Sequence, residues 1–226
     1  MVLNEQSMSN TDLNLKEHSP FYKLKTLQSR AKNGLLLLTM QNVLMRLGFD
    51  IDPFIVTIEK LEYCTKPKLR ENSDLFLFRT LSAEEIENHY LVIGMDKCAL
   101  GALLSSNHIA FGMFYKDQLA AYMMARFEDY DFKSKDFSLE PDEAYMCGAY
   151  TYDTFRGKGL APYLRYKCYE VLTERGFTKF LSITQYFNRS SLKYKAKLNA
   201  KYKSVYLYLE FFHKFSWLFK LKTYTV

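Results

Sequence analysis

The sequence predicts an α/β (α+β) architecture, a mixed β-sheet flanked by helices with a helix-and-strand extension in front. Three stretches carry that prediction: Leu75 to Arg79 followed by a capped helix, two strand-like runs joined by Lys116-Asp117-Gln118, and a strand–turn–helix–strand unit from Ala144 to Tyr186. With 226 residues, 48% hydrophobic and 25% charged, the chain has room for one principal core and too many apolar residues for wholesale disorder. Residues 1–72 read as a tail with an accessory helix and strand, and residues 73–226 as the main domain.

The first stretch, to about residue 30, is polar without a hydrophobic period, and a loosely packed lead-in is expected. Leu36, Met40, Val43, Leu44 and Leu47 recur at helical spacing, and Gly48 follows where a left-handed cap would end the helix. Asp50-Ile51-Asp52-Pro53 reads as a turn into a β-branched and aromatic strand from Phe54 to Leu61, the pair lying against the main domain as an accessory. The main domain opens at Asp74 with the strand Leu75 to Arg79. Ser82-Ala83-Glu84-Glu85 has the capping-box spacing for a helix towards Val92. A helical stretch is expected around Asp96 to Leu104, followed by an antiparallel pair, Ile109 to Tyr115 and Leu119 to Phe127.

The segment from Glu128 to Pro141 is charged and low in packing residues, a loop over a substrate site or in solvent. Ala144 to Tyr152 reads as a central strand running into Arg156-Gly157-Lys158-Gly159-Leu160-Ala161. Beyond it Leu160, Leu164, Cys168, Val171 and Leu172 fall at helical spacing, Gly176 stops the helix, and Phe180 to Tyr186 resumes a strand. Pro162 sits in the helix's first turn, where its missing N–H costs little. Lys201 to Phe212 alternates as a closing strand or hairpin. The aromatic and basic run from Phe211 to Lys220 is expected to dock against the front-end helix, with peripheral contact with a membrane surface or a lipid-linked substrate as the sharper alternative.

Composition narrows the function classes. No apolar stretch approaches the roughly 20 residues of a spanning helix, and the polar, acidic N-terminus is unlike a secretory signal, so a cytoplasmic address is expected. Cys64, Cys98, Cys147 and Cys168 are scattered singly, so neither a disulfide framework nor a metal site is expected. None of the four histidines has a partner at a telling spacing, and none is assigned a catalytic role. From Arg156 onward there are 15 Lys and Arg against 3 acids, whereas the preceding part has 16 against 22; an anionic partner belongs to the C-terminal third.

A strand feeding a glycine-bearing turn and then a helix gathers unpaired N–H groups and the positive end of the helix dipole at one point, which suits a phosphate. Gly157 and Gly159 let the backbone come close, while Arg156 and Lys158 add charge. The turn lacks the Lys-Ser/Thr ending of a P-loop, and Pro162 stands where a dinucleotide fingerprint has its third glycine.

Arg156-Gly157-Lys158-Gly159-Leu160-Ala161 resembles the R/Q-x-x-G-x-G/A pyrophosphate loop of the GNAT superfamily, the acyl-CoA-dependent N-acetyltransferases. Asn188-Arg189-Ser190-Ser191-Leu192 is similar to that family's N-x-x-A/S segment after the next strand. Together with the order of elements from Asp74 onward, the resemblance covers about two thirds of the chain. Leu47 to Phe54 is similar to a lead-in of some bacterial members. The resemblance implies a sheet splayed between the strands Ala144 to Tyr152 and Phe180 to Tyr186, with the pantetheine arm of acetyl-CoA in the gap. It implies pairing of that arm with the backbone of Ala149, Tyr150 and Thr151, and Asn188 and Ser191 facing the cofactor, Asn188 being equally suited to cap a helix.

The activity implied is transfer of an acyl group, acetyl first, to a small-molecule or surface-exposed primary amine, without a metal. Glu143 stands where histone-acetylating members carry a catalytic glutamate, with Asp153 as a further candidate base. The tyrosine that serves such enzymes as general acid falls at Lys195 by the Asn188 register; Tyr194, one place earlier, is the candidate acid if the register shifts. Two other classes stay open: a module that holds acyl-CoA without turnover, and nucleic-acid binding through Lys193, Lys195, Lys197, Lys201 and Lys203 with Tyr194 and Tyr202 interleaved. A nucleic-acid partner is not expected, because no recognised nucleic-acid-binding signature is present.

Overall fold

Helix α1 (Leu36–Arg46) ends where the spacing predicts. The N–H groups of Leu47 and Gly48 donate to the carbonyls of Leu44 and Met45, and Gly48 takes φ +86°, a left-handed conformation that glycine adopts without penalty. The structure is a computed structural model that describes residues 36–70, 73–92 and 107–225; the polar lead-in and the helix expected around Asp96 to Leu104 lie outside them.

Strand β1 (Phe49–Glu59) starts five residues earlier than the sequence suggests, and Asp50-Ile51-Asp52-Pro53 is part of it. The aspartates do not turn the chain: both are buried on one strand face, where Lys133 pairs with Asp50 and, at 3.7 Å, with Asp52. Pro53 is tolerated because its carbonyl, and with it the position of its missing N–H, faces Tyr186, just beyond the neighbouring strand's end. β1 is also not an accessory. It is hydrogen-bonded along both edges inside an eight-stranded sheet, whose order is β10 (Phe215–Thr223), β9 (Lys201–Phe211), β1, β8 (Lys179–Gln185), β7 (Glu143–Thr151), β4 (Gln118–Arg126), β3 (His108–Tyr115) and β2 (Phe76–Thr80).

Strand β2 (Phe76–Thr80) leads into α2 (Ala83–Val92) through the capping box: Glu85 N–H donates to Ser82 Oγ at 3.2 Å and Ser82 N–H to Glu85 Oε2 at 2.9 Å. β3 (His108–Tyr115) and β4 (Gln118–Arg126) form the expected hairpin, with Lys116 and Asp117 both left-handed (φ +46° and +66°), the conformation of a two-residue turn that matches strand twist. The segment expected as a charged loop contains a small hairpin, β5 (Tyr130–Asp131) and β6 (Asp136–Phe137), and it packs. Buried Tyr130 stacks on Phe137 and Tyr145 with centroids 5.2 and 3.6 Å away, and Phe132 meets Phe54 edge-on at 5.0 Å.

After β7 (Glu143–Thr151), α3 (Leu160–Glu174) lays Leu160, Leu164, Cys168 and Leu172 over Phe111, Met123, Met146 and Phe180, the main core. Gly176, at φ +95°, closes α3 in a Schellman turn: its N–H donates to Thr173 and that of Phe177 to Leu172. β8 (Lys179–Gln185), α4 (Arg189–Ala196), β9 (Lys201–Phe211) and β10 (Phe215–Thr223) complete the chain. Of the C-terminal aromatics expected to dock on the front-end helix, Phe211 and Phe212 meet Phe49 just beyond its end, with ring centres 5.9 and 5.1 Å away, whereas β10 is the outer strand and its Phe215, Trp217, Phe219 and Leu221 are 47% to 59% exposed. No described helix is long and apolar enough to cross a membrane.

Candidate active site

The sheet opens in its middle. β7 and β8 run parallel, yet only Glu143 to Tyr145 pair with Lys179 to Leu181. β8 continues to Gln185 on the strength of its other edge, which pairs with β1 from Glu59 to Phe54. β7 bends away at a bulge: Tyr122 faces Tyr150 and Met124 faces Cys147, so β7 carries one extra residue, and Gly148 there has φ +60°. The buried position of β1 is therefore what lets β8 part from β7 without losing its place.

At the wide end of that gap the chain leaves β7, makes one 3-10 turn (Asp153–Phe155) and enters the glycine turn. Gly157 (φ +81°) has open space where a Cβ would stand. Gly159 (φ +87°), the N-cap of α3, does not: a Cβ there would lie 3.1 Å from the Lys68 carbonyl. The strap around Lys68 is latched to the turn by Arg70 N–H, which donates to the Lys158 carbonyl at 3.0 Å. Gly159 is thus required by the protein's own packing as well as by its backbone angle. Arg156 donates from Nε to the Thr151 carbonyl (3.1 Å) and pairs with Asp153 (2.8 Å), while the Lys158 ammonium lies 5.4 Å from the Phe155 ring centre.

A cavity of about 680 Å³ follows this turn along the gap. Ala149, Tyr150 and Thr151 form one wall, Arg156, Gly157, Gly159, Leu160 and Ala161 the head, and Asn188 and Ser191 the far side. Ten of the eleven residues expected at the cofactor thus share one space, and Lys158 is the exception. Asn188 also caps α4, its Oδ1 accepting from Ser191 N–H at 3.1 Å and from the Ser190 hydroxyl at 3.1 Å. Arg70, Lys193 and Lys197 join Arg156 on the walls, which carry no carboxylate among the described residues.

A second cavity of about 400 Å³ adjoins the first at Ala149, Asn188, Ser191 and Tyr194. Tyr145 to Gly148 of β7, Ile183 to Gln185 of β8, the β5–β6 hairpin through Phe132 and Lys133, and Lys195 of α4 enclose it. Half-buried Tyr194 stands where the two spaces meet, and burial pushes its phenol up, with Arg165 opposing. Glu143 is elsewhere. It begins β7 at the closed end of the gap, opposite Lys179, its Oε2 accepts from Glu140 N–H at 3.2 Å, and it lines neither cavity.

Arg165 also lines the second cavity, and it belongs to a buried polar network that sequence reasoning missed. Arg165 of α3 donates to both oxygens of Glu59 on β1, at 2.8 and 3.1 Å, and to Tyr169 Oη at 2.8 Å; Tyr169 donates to Glu59 in turn. Ser182 Oγ donates to Glu59 at 2.5 Å. Burial alone would raise the Glu59 carboxyl, but Arg165, then Lys195, hold it below the usual carboxylate range. The visible signal was Arg165 beside Leu164 and four residues from Tyr169, a charge within the apolar arc of the helix. Arg70 was marked only by its basic neighbours Lys66 and Lys68.

The profile of the Acetyltransferase (GNAT) family matches residues 64–199. No curated protein matches the chain. Among solved structures, a Drosophila protein is 11% identical, with a TM-score of 0.52, over 80% of this chain and 59% of its own. A GCN5-related N-acetyltransferase from Kribbella flavida is 15% identical, with a TM-score of 0.51, over 75% and 62%. A conserved protein of unknown function from Staphylococcus epidermidis is 8% identical, with a TM-score of 0.50, over 74% and 64%. The chain thus spans about six-tenths of the length of these structures, and the likeness is one of fold.

Proposed function

Because the chain belongs to the GNAT acetyltransferase family, we propose that it transfers an acyl group, acetyl in the first instance, from acyl-CoA to a primary amine. The observation that carries this reading is a cavity with four cationic side chains and no carboxylate on its described walls, running from the N-terminus of α3 into the gap between β7 and β8. A diphosphate suits the head of that cavity, where the first turn of a helix offers N–H groups and the positive end of its dipole. Arg70, latched to the same turn, adds charge at the head, and Lys193 and Lys197 supply it further along. The edge of β7 beyond Tyr145, which β8 has left, suits the amides of an extended pantetheine arm.

Acyl-CoA supplies an activated thioester; the chain's task is to hold its carbonyl against a neutral nitrogen. The second cavity is the place for that nitrogen, because it meets the first at Tyr194 and Ala149. Glu143 has no part in this reading, being at the closed end of the gap.

Calorimetric titration with CoA tests the binding half. Exposed Arg70 and Lys197 can be reversed to Glu without touching the core, and each of Arg70→Glu and Lys197→Glu is expected to weaken CoA at least ~10-fold, about 1.4 kcal/mol. Unchanged affinity in both would remove the first cavity as the cofactor site. Thiol release from acetyl-CoA with a panel of primary amines tests turnover; CoA binding without thiol release would leave a binding module.

A further inference from the structure

We propose that Lys195 is the proton carrier of the transfer, its amine taking the proton from the acceptor nitrogen and handing it to the departing thiolate. The inference rests on the acyltransferase reading above, which seats the acceptor in the second cavity.

Lys195 is 4% exposed and lines that cavity. A buried lysine ordinarily sits against a carboxylate. This one sits against hydroxyls: its Nζ is 2.6 Å from Ser182 Oγ, bonded to Thr184 Oγ1, and 3.5 Å from Thr57 Oγ1. The carboxylate of Glu59 is one hydroxyl further away, through Ser182. Glu59 is already held by Arg165 and Tyr169. One carboxylate therefore faces two basic groups in one buried cluster, and a guanidinium does not give up its proton. The lysine is the group that does. Burial pulls its amine down to about 7, Glu59 pulls the other way, and Arg165 adds to the lowering.

The other ionisable groups on this cavity are less suited. Burial pushes the Cys147 thiol up to about 11 and raises the phenols of Tyr145 and Tyr194. Lys133 is committed to Asp50 and Asp52 on β1. A carrier that both accepts and donates near neutral pH works best when its two forms are comparably populated there.

The step balances. The acceptor nitrogen attacks the thioester carbon, the C–N bond forms, the C–S bond breaks, and the thiolate leaves with the electron pair. The N–H proton passes to the Lys195 amine, and the resulting ammonium gives it to the thiolate sulfur. An amide and a neutral thiol result, and Lys195 ends as it began.

The test uses the full chain labelled with [13Cε]lysine. The resonance that disappears in Lys195→Arg is expected to titrate with a midpoint near 7; a midpoint in the ordinary lysine range of about 10 overturns the proposal. Thiol release from acetyl-CoA with the amine panel is then compared between the native chain, Lys195→Met and Lys195→Arg. Both variants are expected to lose ~10²–10⁴-fold in kcat and the native acidic limb of the pH profile, at unchanged CoA affinity. Full turnover in Lys195→Arg, which cannot titrate in this range, also overturns it. If the native chain fails to bind CoA, the acyltransferase reading falls. If it binds CoA and Lys195→Met turns over normally, only the lysine's role falls; if no amine in the panel turns over, the carbon titration decides.

Discussion

Removing Arg165 isolates what the buried network contributes. In Arg165→Met the Glu59 carboxylate, 0% exposed, loses the guanidinium that bonds both its oxygens. Breaking one side of a buried ion pair costs about 3–5 kcal/mol. Here the lower end is expected, because Lys195, joined to Glu59 through Ser182, can become the counterion by staying protonated. For a chain of this size about 3 kcal/mol lowers Tm by roughly 6–12 °C. Lys195→Met alone removes an amine that is only part charged and costs less. The double variant leaves Glu59 with no cation, so its loss should exceed the sum of the single losses by about 0.5–3 kcal/mol. Urea denaturation of the four proteins gives the cycle.

The pH dependence of that cycle has a definite sign. In the native chain the Lys195 amine, at about 7 when folded, lies below its ordinary 10.5, so between those values the unfolded chain binds more protons and stability from this group rises with pH. The slope cannot exceed about 1.4 kcal/mol per pH unit. In Arg165→Met the folded value moves up and the rise flattens. Additivity within about 0.5 kcal/mol, with an unchanged pH slope, would refute the claim that Arg165 and Lys195 compete for one carboxylate.

Two further substitutions separate local from tertiary demands. Gly157→Ala meets open space and should carry only the left-handed backbone cost, about 1–2 kcal/mol, whereas Gly159→Ala must also displace the Lys68 carbonyl and should weaken CoA further; equal CoA affinities by calorimetry would discount the strap. Glu143→Gln should leave thiol release within about twofold of native, and a pH-dependent loss would return that carboxylate to the mechanism.

What was legible in the sequence is what neighbours along the chain decide. Ser82 and Glu85 cap a helix through bonds three residues apart, and Gly48, Gly159 and Gly176 take backbone angles that few other residues accept. The glycine turn and most of the residues around the first cavity follow from one βαβ unit, so the local pattern places them together. Asp50-Ile51-Asp52-Pro53 misled for the same reason, since each residue except Ile51 is a good turn former by itself. Its place in β1 depends on Lys133, 83 residues away, and on two strands that arrive more than a hundred residues later.

The chemistry of the second cavity is non-local throughout. Glu59 meets Arg165 across 106 residues and Ser182 across 123, so nothing near Lys195 in the run Lys193-Tyr194-Lys195 distinguishes it from its exposed neighbour. Only the strand that holds the sheet open also carries the acid that meets Arg165, and only then does Lys195 differ from a solvated lysine. The same insertion of β1 that parts β7 from β8 therefore sets the charge state at the back of the gap. A variant that loosens β1 is expected to alter both the opening and its proton chemistry together.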